Sequence, residues 1–371
     1  MKFKINKEIL NEKLNIVGKA ISTKNIIPVL SGIKIDLTNE GLFLTASNDD
    51  IAIQTFISKD NIKDINEIGS IIVPGRYFLE IIRKLEDDIL NIETDGLKII
   101  ISTKRGEYSL NGMNSKDFPN IKMDVGENPI ILEQNILKTI IAQTSFAVST
   151  QESRPILTGI NVEIDKDVLT FVATDSYRLS KKIIHLDNIR KEKINIVIPG
   201  KNLIELSKLI NDDNAIELHI FQNSILFKTD EMLFQSRLLN GTYPDTSKLI
   251  PNEFELTLSV NLIELMNTID RVSLLTNEKE KNLVKMNVVE NNIILSSNSQ
   301  EIGKMEETMD IEKDKDIDMQ IAYSSKYMME ALRSLRCEIV EIKLSSEIKP
   351  IIIKSHNDDN LIQLVLPIKT F

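Results

Sequence analysis

Apolar residues fall at helical spacing at three places in the chain, and each time alternating runs follow. Between Asn6 and Ile21 they are Ile9, Leu10, Leu14 and Val17. Between Glu133 and Phe146 they are Ile136, Leu137, Ile140 and Ile141, and between Asn261 and Ser273 they are Leu262, Leu265, Met266 and Ile269. Steps of three and four put each set on one face and predict an amphipathic helix. Period-two alternation comes next, in Gly32 to Leu37 and Leu42 to Thr45, in Ile160 to Ile164 and Val168 to Val172, and in Met286 to Val289 and Ile293 to Leu295. The short polar turns inside each pair (Asn39-Glu40-Gly41, Asp165-Lys166-Asp167, Glu290-Asn291-Asn292) predict antiparallel hairpins.

A second helix follows in each copy. Ile72-Val73-Pro74-Gly75-Arg76-Tyr77-Phe78-Leu79 returns as Ile198-Pro199-Gly200-Lys201-Asn202-Leu203, and again as Ala322-Tyr323-Ser324-Ser325-Lys326-Tyr327-Met328. Its opening cation recurs at a spacing of 125 (201 − 76 and 326 − 201). That period exceeds the roughly 20–50 residues of a solenoid unit and matches a whole domain. The expected fold is therefore α+β: three repeated domains, at 1–125, 126–252 and 253–371, each with helices on one face of an antiparallel sheet. No long linker separates the copies, so they are expected to pack edge to edge.

Charge sharpens the picture. The whole chain carries −10, yet segments 76–85, 201–210 and 326–336 carry +2, +1 and +2. Arg76 and Arg83, Lys201 and Lys208, and Lys326 and Arg333 each stand seven residues apart, nearly two helical turns, so each pair forms a stripe. One such stripe is an ordinary solvated face. The same stripe at the same place in three domains of an acidic protein points to a surface that meets a polyanion. Lys and Arg without interleaved aromatics imply phosphate contacts, which position a duplex without reading its sequence.

Other chemistry is sparse. The chain has neither a Gly-x-x-x-x-Gly-Lys nor a Gly-x-Gly-x-x-Gly, and His185, His219 and His356 lack metal-ligand spacing. The paired acids Asp49-Asp50 and Asp212-Asp213 and the loop Asp314 to Asp318 read as solvated turns. The single cysteine, Cys337, falls in an apolar run read as helical and core; it excludes an internal disulfide and fits a reducing cytoplasm. The amino terminus lacks the apolar stretch of a signal peptide, and no run is long enough to span a bilayer. No catalytic residue, metal or cofactor is expected.

Several motifs together resemble the bacterial DNA polymerase III beta subunit family over the whole chain. They are Met1-Lys2-Phe3, Ile27-Pro28-Val29-Leu30, Arg154-Pro155-Ile156-Leu157-Thr158-Gly159, Val172-Ala173-Thr174-Asp175-Ser176-Tyr177-Arg178-Leu179, Asn240-Gly241-Thr242-Tyr243-Pro244-Asp245 and Leu364-Val365-Leu366-Pro367-Ile368. The resemblance implies a ring-shaped, head-to-tail homodimer around double-stranded DNA, with helices lining a central hole and sheets outside. It implies a non-catalytic processivity factor in the cytoplasm, acting at replication forks on the nucleoid. The implied partners are the replicative polymerase catalytic subunit, the clamp-loader complex, and other polymerases and repair proteins that dock by short peptide motifs.

Residue by residue, the resemblance carries DNA-facing positions onto Lys24, Arg76, Gln151, Lys201, Lys208, Ser324 and Tyr327. Lys24 stands where Arg is more usual, and Ser324 where Asn is frequent. It carries a partner-peptide groove onto Leu157, Thr174, Ser176, Tyr177, Arg178, Leu179, Pro244, Leu249, Pro350, Leu364, Val365 and Leu366, with Tyr177 replacing a common His. Polar atoms around Arg178 are expected to orient the peptide. A subunit contact is carried onto Tyr108 and Leu110 on one side and Leu274 and Leu275 on the other. The rival reading is a three-domain scaffold that does not bind DNA.

Overall fold

The structure is a computed structural model that describes the chain apart from residues 23–26, 188, 190, 191, 212, 213, 370 and 371. Lys24 and the pair Asp212-Asp213 lie outside the described residues. The first repeat runs β1 (Lys2–Asn6), α1 (Lys7–Val17), β2 (Gly32–Leu37), β3 (Gly41–Ser47), β4 (Ile51–Ser58), β5 (Ile62–Glu67), β6 (Gly69–Pro74), α2 (Gly75–Lys84), β7 (Ile89–Asp95), β8 (Lys98–Ser102) and β9 (Glu107–Asn111). The second runs β10 (Ile130–Glu133), α3 (Gln134–Thr144), β11 (Gly159–Asp165), β12 (Val168–Thr174), β13 (Arg178–His185), β14 (Ile194–Pro199), α4 (Gly200–Ser207), β15 (Ala215–Ile220), β16 (Ser224–Lys228) and β17 (Met232–Arg237). The third runs β18 (Leu256–Asn261), α5 (Leu262–Val272), β19 (Leu283–Val289), β20 (Asn292–Ser299), β21 (Gly303–Asp310), β22 (Glu312–Lys313), β23 (Met319–Ser324), α6 (Ser325–Arg333), β24 (Ile339–Leu344), β25 (Ile351–Ser355) and β26 (Asp358–Val365).

The helices start where side chains satisfy their first amides. Asn6 Oδ1 accepts from Glu8 N at 2.8 Å and Ile9 N at 3.3 Å, and Asn261 Oδ1 accepts from Glu264 N at 3.1 Å. The second helices open on a Pro-Gly step in the first two repeats. A Cβ on Gly75 would lie 2.6 Å from Ile21 Cδ1, and one on Gly200 would lie 3.2 Å from the Thr158 carbonyl. The absent side chain lets each helix start against the preceding turn.

The chain forms two compact units, Met1–Leu137 with Glu205–Leu238, and Lys138–Ile204 with Leu239–Phe371. The first holds a five-stranded sheet, β5-β1-β7-β8-β9, and an eight-stranded sheet, β10-β15-β16-β17-β4-β3-β2-β6. The second holds a nine-stranded sheet, β14-β11-β12-β13-β26-β25-β24-β18-β22, and a four-stranded sheet, β21-β20-β19-β23. Edge-to-edge packing of the repeats is literal. Strand β17 pairs antiparallel with β4, setting Ser236 opposite Ile51, and β13 pairs with β26, setting Arg178 opposite Val365.

Core positions follow the helical period. Leu10, Leu14 and Val17 of α1 are buried, as are Leu262, Leu265, Ile269 and Val272 of α5. In the second unit α5 and α6 share a core with Val284, Met286, Leu295, Val340, Ile342 and Ile353. Two expectations change. Helix α4 ends at Ser207, so Lys208 lies in the turn beyond it; Lys208 N bonds the Glu205 carbonyl at 3.2 Å, a tighter closure than an α-helical one. Cys337 follows α6 in non-helical chain, although it does pack against the core.

Candidate docking groove and nucleic-acid interface

The loop between β12 and β13 is held by its own side chains. Asp175 Oδ1 accepts from Tyr177 N at 2.9 Å and Arg178 N at 3.0 Å. Thr174 Oγ1 donates to the Arg178 carbonyl at 2.6 Å and accepts from Ser176 N at 3.1 Å, while Thr174 N donates to the Tyr243 hydroxyl at 3.1 Å. Together these bonds hold Ser176 at φ +78°, a left-handed conformation unfavourable for a side chain with a Cβ. Burial pushes the Tyr243 phenol well above its ordinary pKa, so it remains protonated.

The turn sends neighbouring side chains opposite ways. Tyr177 is 59% exposed and Arg178 only 8%. Arg178 Nε donates to Asp175 Oδ2 at 3.0 Å, and Nη1 donates to Glu330 of α6. Its guanidinium carbon lies 5.3 Å from the Phe146 ring centre and 4.7 Å from that of Tyr327. Arg178 is thus committed to internal partners. Asp175 and Glu330 are the polar groups set around it.

The second unit has one cavity beside this loop and another along strands β11 to β13 beside Tyr243. One, about 630 Å³, is lined by Tyr177, Tyr327, Leu366, Pro367 and Ile368, with Ser324, Lys326 and Lys369 among its polar residues. The other, about 620 Å³, is lined by Val172, Tyr243, Pro244, Ile250 and Ile362, with Asn161 and Lys181 among its polar residues. Leu157, Leu179 and Leu364 are buried in an apolar cluster with Val172 and Tyr243, and Leu366 packs against that cluster. Val365 belongs to the core shared by α5 and α6. Of the twelve positions expected to form a groove, Leu157, Leu179, Leu364 and Val365 are buried in these clusters. Thr174 is buried as a loop tie, Ser176, Tyr177, Pro244 and Leu249 are exposed, and Pro350 and Leu366 are half-buried.

Cations of the second helices reach solvent. Arg76, Arg83, Lys201, Lys208, Lys326 and Arg333 are all exposed. Arg83 grips both Glu80 oxygens at 2.7 and 2.8 Å, Lys208 binds Glu205 at 2.6 Å, and Lys326 binds Glu278 at 3.3 Å. Among the described residues, Arg76 and Arg333 have no ion-pair partner. Gln151 is exposed in the loop before Arg154. Ser324 and Tyr327 are less exposed than these cations. Ser324 is buried at the start of α6 and Tyr327 is half-buried, and both line the cavity beside Tyr177, as does Lys326 of the stripe.

Tyr108 and Leu110 sit on β9, the edge strand of the five-stranded sheet; Tyr108 is 39% exposed. Leu274 is 70% exposed and Leu275 half-buried, in the 3₁₀ turn that ends α5. The three histidines stand apart, each beside its own carboxylate: His185 by Asp167, His219 by Glu217 and His356 by Glu341.

Several features of the groove escaped sequence reasoning. Asp175 and Tyr243 lay inside quoted motifs without a role. Pro367 and Ile368 likewise lay in a quoted motif, whereas Glu330 and Phe146 carried no local signal; Glu330 meets Arg178 at a sequence separation of 152.

Serial domains that continue each other's sheets, second helices with exposed cations, and an apolar cleft at a repeat junction define a DNA clamp. Models of the DNA polymerase III beta subunit match its N-terminal domain at residues 1–122, its central domain at 131–245 and its C-terminal domain at 247–369. The chain belongs to the DNA polymerase III beta subunit family, whose members are sliding clamps and non-catalytic processivity factors in DNA replication. The beta sliding clamp of Staphylococcus aureus is 38% identical over 100% of both chains. The crystal structure of the Bacillus subtilis DNA polymerase sliding clamp superposes with a TM-score of 0.96 at 38% identity, covering 100% of both chains. A Pseudomonas aeruginosa sliding clamp bound to griselimycin shares the fold at TM-score 0.94 and 24% identity, again over 100% of both chains.

Proposed function

We propose that two copies of this chain close head to tail around double-stranded DNA and slide along it. The proposed domains are 1–125, 126–252 and 253–371. The observation that carries this reading is the exposed cation opening each second helix, Arg76, Lys201 and Lys326, in a chain of net charge −10. Phosphate contacts of that kind hold a duplex without fixing its register. Arg83, Lys208 and Arg333 extend the stripe, with Lys24, Gln151, Ser324 and Tyr327 as further DNA-facing positions.

Closure uses Tyr108 and Leu110 of one copy against Leu274 and Leu275 of the other. Strands β9 and β21 each end a sheet with an unpaired side, which supports pairing between copies at this contact. Differing patches make the contact heterologous, and two such contacts close the ring.

The apolar cleft around Tyr177, Pro244, Leu249, Tyr327 and Leu366 receives short peptides from the replicative polymerase catalytic subunit, the clamp-loader complex, and other polymerases and repair proteins. Apolar side chains from distant segments with a few polar atoms suit such anchors. The protein works in the cytoplasm, at replication forks.

Retention on circular DNA tests the reading. Once loaded, the protein should stay on a closed circle and leave when the circle is cut. Equal loss from both forms would favour a scaffold that does not encircle DNA.

A further inference from the structure

The loop that builds the groove has a counterpart in the first repeat. Ser47 Oγ donates to the Ile51 carbonyl at 3.1 Å, as Thr174 Oγ1 does to Arg178 at 2.6 Å. Asn48 Oδ1 accepts from Asp50 N at 2.8 Å and Ile51 N at 2.9 Å, as Asp175 Oδ1 accepts from Tyr177 N and Arg178 N. The 3₁₀ turns carrying Leu30 and Leu157 also close alike: Ser31 Oγ donates to the Pro28 carbonyl and Thr158 Oγ1 to that of Pro155, both at 2.7 Å.

Strand register then fixes the matching walls. Ser236 stands opposite Ile51 as Val365 stands opposite Arg178. The next amide closes onto the loop in both places, Arg237 N to the Asp50 carbonyl at 3.0 Å and Leu366 N to the Tyr177 carbonyl at 2.9 Å. Asp50 therefore corresponds to Tyr177, and Arg237 to Leu366. A cavity of about 390 Å³ lies here, lined by Ile27, Leu30, Ile51 and Ile121 as well as by Asp50 and Arg237.

The backbone is the same and the walls differ. An apolar anchor seated between a carboxylate and a guanidinium meets polar groups to which it can offer no hydrogen bond. We infer that Asp50 and Arg237 close this first-repeat cavity to the apolar-anchored peptides taken by the Tyr177–Leu366 groove. These two positions thereby limit each chain to one such peptide. The inference rests on the groove reading given under the proposed function.

Titration calorimetry with a peptide copying the carboxyl-terminal tail of the replicative polymerase catalytic subunit tests it. The native chain should bind one peptide, D50Y/R237L two, Y177D/L366R none, and the fourfold variant one. A native stoichiometry of two overturns the inference, and so does D50Y/R237L remaining at one with a native melting temperature. If D50Y/R237L melts early, D50N/R237Q replaces it, and a second, weaker binding event is then expected; its absence counts equally against the inference. No binding by the native chain would instead overturn the groove reading, and this inference with it.

Discussion

The Tyr177 ring stacks on the Tyr327 ring, with centroids 6.3 Å apart and planes 19° from parallel, and the Arg178 guanidinium carbon sits 4.7 Å from the same Tyr327 ring. One aromatic from α6 thus links the exposed wall of the cleft to its buried cation. Aromatic pairs contribute about 0.5–1.5 kcal/mol beyond their burial, and a cation over a partly exposed ring about 0.5–1 kcal/mol. Tyr327→Leu should therefore weaken polymerase-tail peptide binding by roughly tenfold, with dimerisation unchanged. Fluorescence anisotropy measures the affinity. A change under about twofold would show that the stack does not organise the cleft.

How much of this could be read from the chain depends on the range of the interactions. Helices α1, α3 and α5 were legible because Leu10 and Leu14, or Leu265 and Ile269, obey a local period. The end of α4 was not, because Lys208 continues the charge pattern while the backbone tightens around Glu205. Family motifs named the candidate groove positions but did not sort them. Leu157 and Leu366 look alike in sequence, and only packing in the tertiary structure buries one and half-exposes the other. Nor could the sequence show that Ser324 and Tyr327 share a cavity with Leu366 to Ile368, a relation between separate segments of the chain. Arg178 gave no hint that Glu330 and two rings would occupy it.

A pH dependence follows from Arg271 of α5 and Glu307 of β21. Arg271 Nε and Nη2 reach the Glu307 oxygens at 2.9 and 2.7 Å. The hydrogen bonds from Arg271 hold the Glu307 carboxyl below its ordinary 4.5, against a smaller opposing effect of burial. A lowered carboxyl adds stability above its unfolded pKa and loses it as pH falls through the folded value. Glu307→Gln should therefore unfold at lower urea than the native protein at pH 7, and the gap should close below about pH 4. A gap that persists at pH 3 would assign the loss to packing.

Exposed cations should not contribute equally to DNA binding. Arg83 is held in a two-oxygen grip by Glu80, whereas Arg76 has no ion-pair partner among the described residues. A cation already paired has less attraction left for phosphate. Arg76→Gln should reduce the slope of log affinity against log salt by nearly one contact, roughly 0.9. Arg83→Gln should reduce it less, and Glu80→Gln should strengthen binding. Equal slopes for the two arginine variants would mean that Glu80 releases Arg83 on DNA.

The subunit contact gives the last prediction. Leu274 is 70% exposed in the single chain, unusual for a leucine beside a well-packed helix end, and Leu275 is half-covered next to it. On the proposed opposite patch, Tyr108 is 39% exposed on an unpaired strand edge. Burying a large apolar side chain contributes roughly 1.5–3 kcal/mol, and a two-contact ring counts each substitution twice. Leu274→Ala with Leu275→Ala should therefore raise the dimer dissociation constant by several orders of magnitude. The melting transition should move little, because Leu274 supports no core. Sedimentation velocity across a concentration series reads the outcome directly. A double variant that stays dimeric at nanomolar concentration would place the contact elsewhere. A monomer that keeps a native circular dichroism spectrum and still binds the polymerase-tail peptide would separate ring closure from partner docking, as two sites on different segments require.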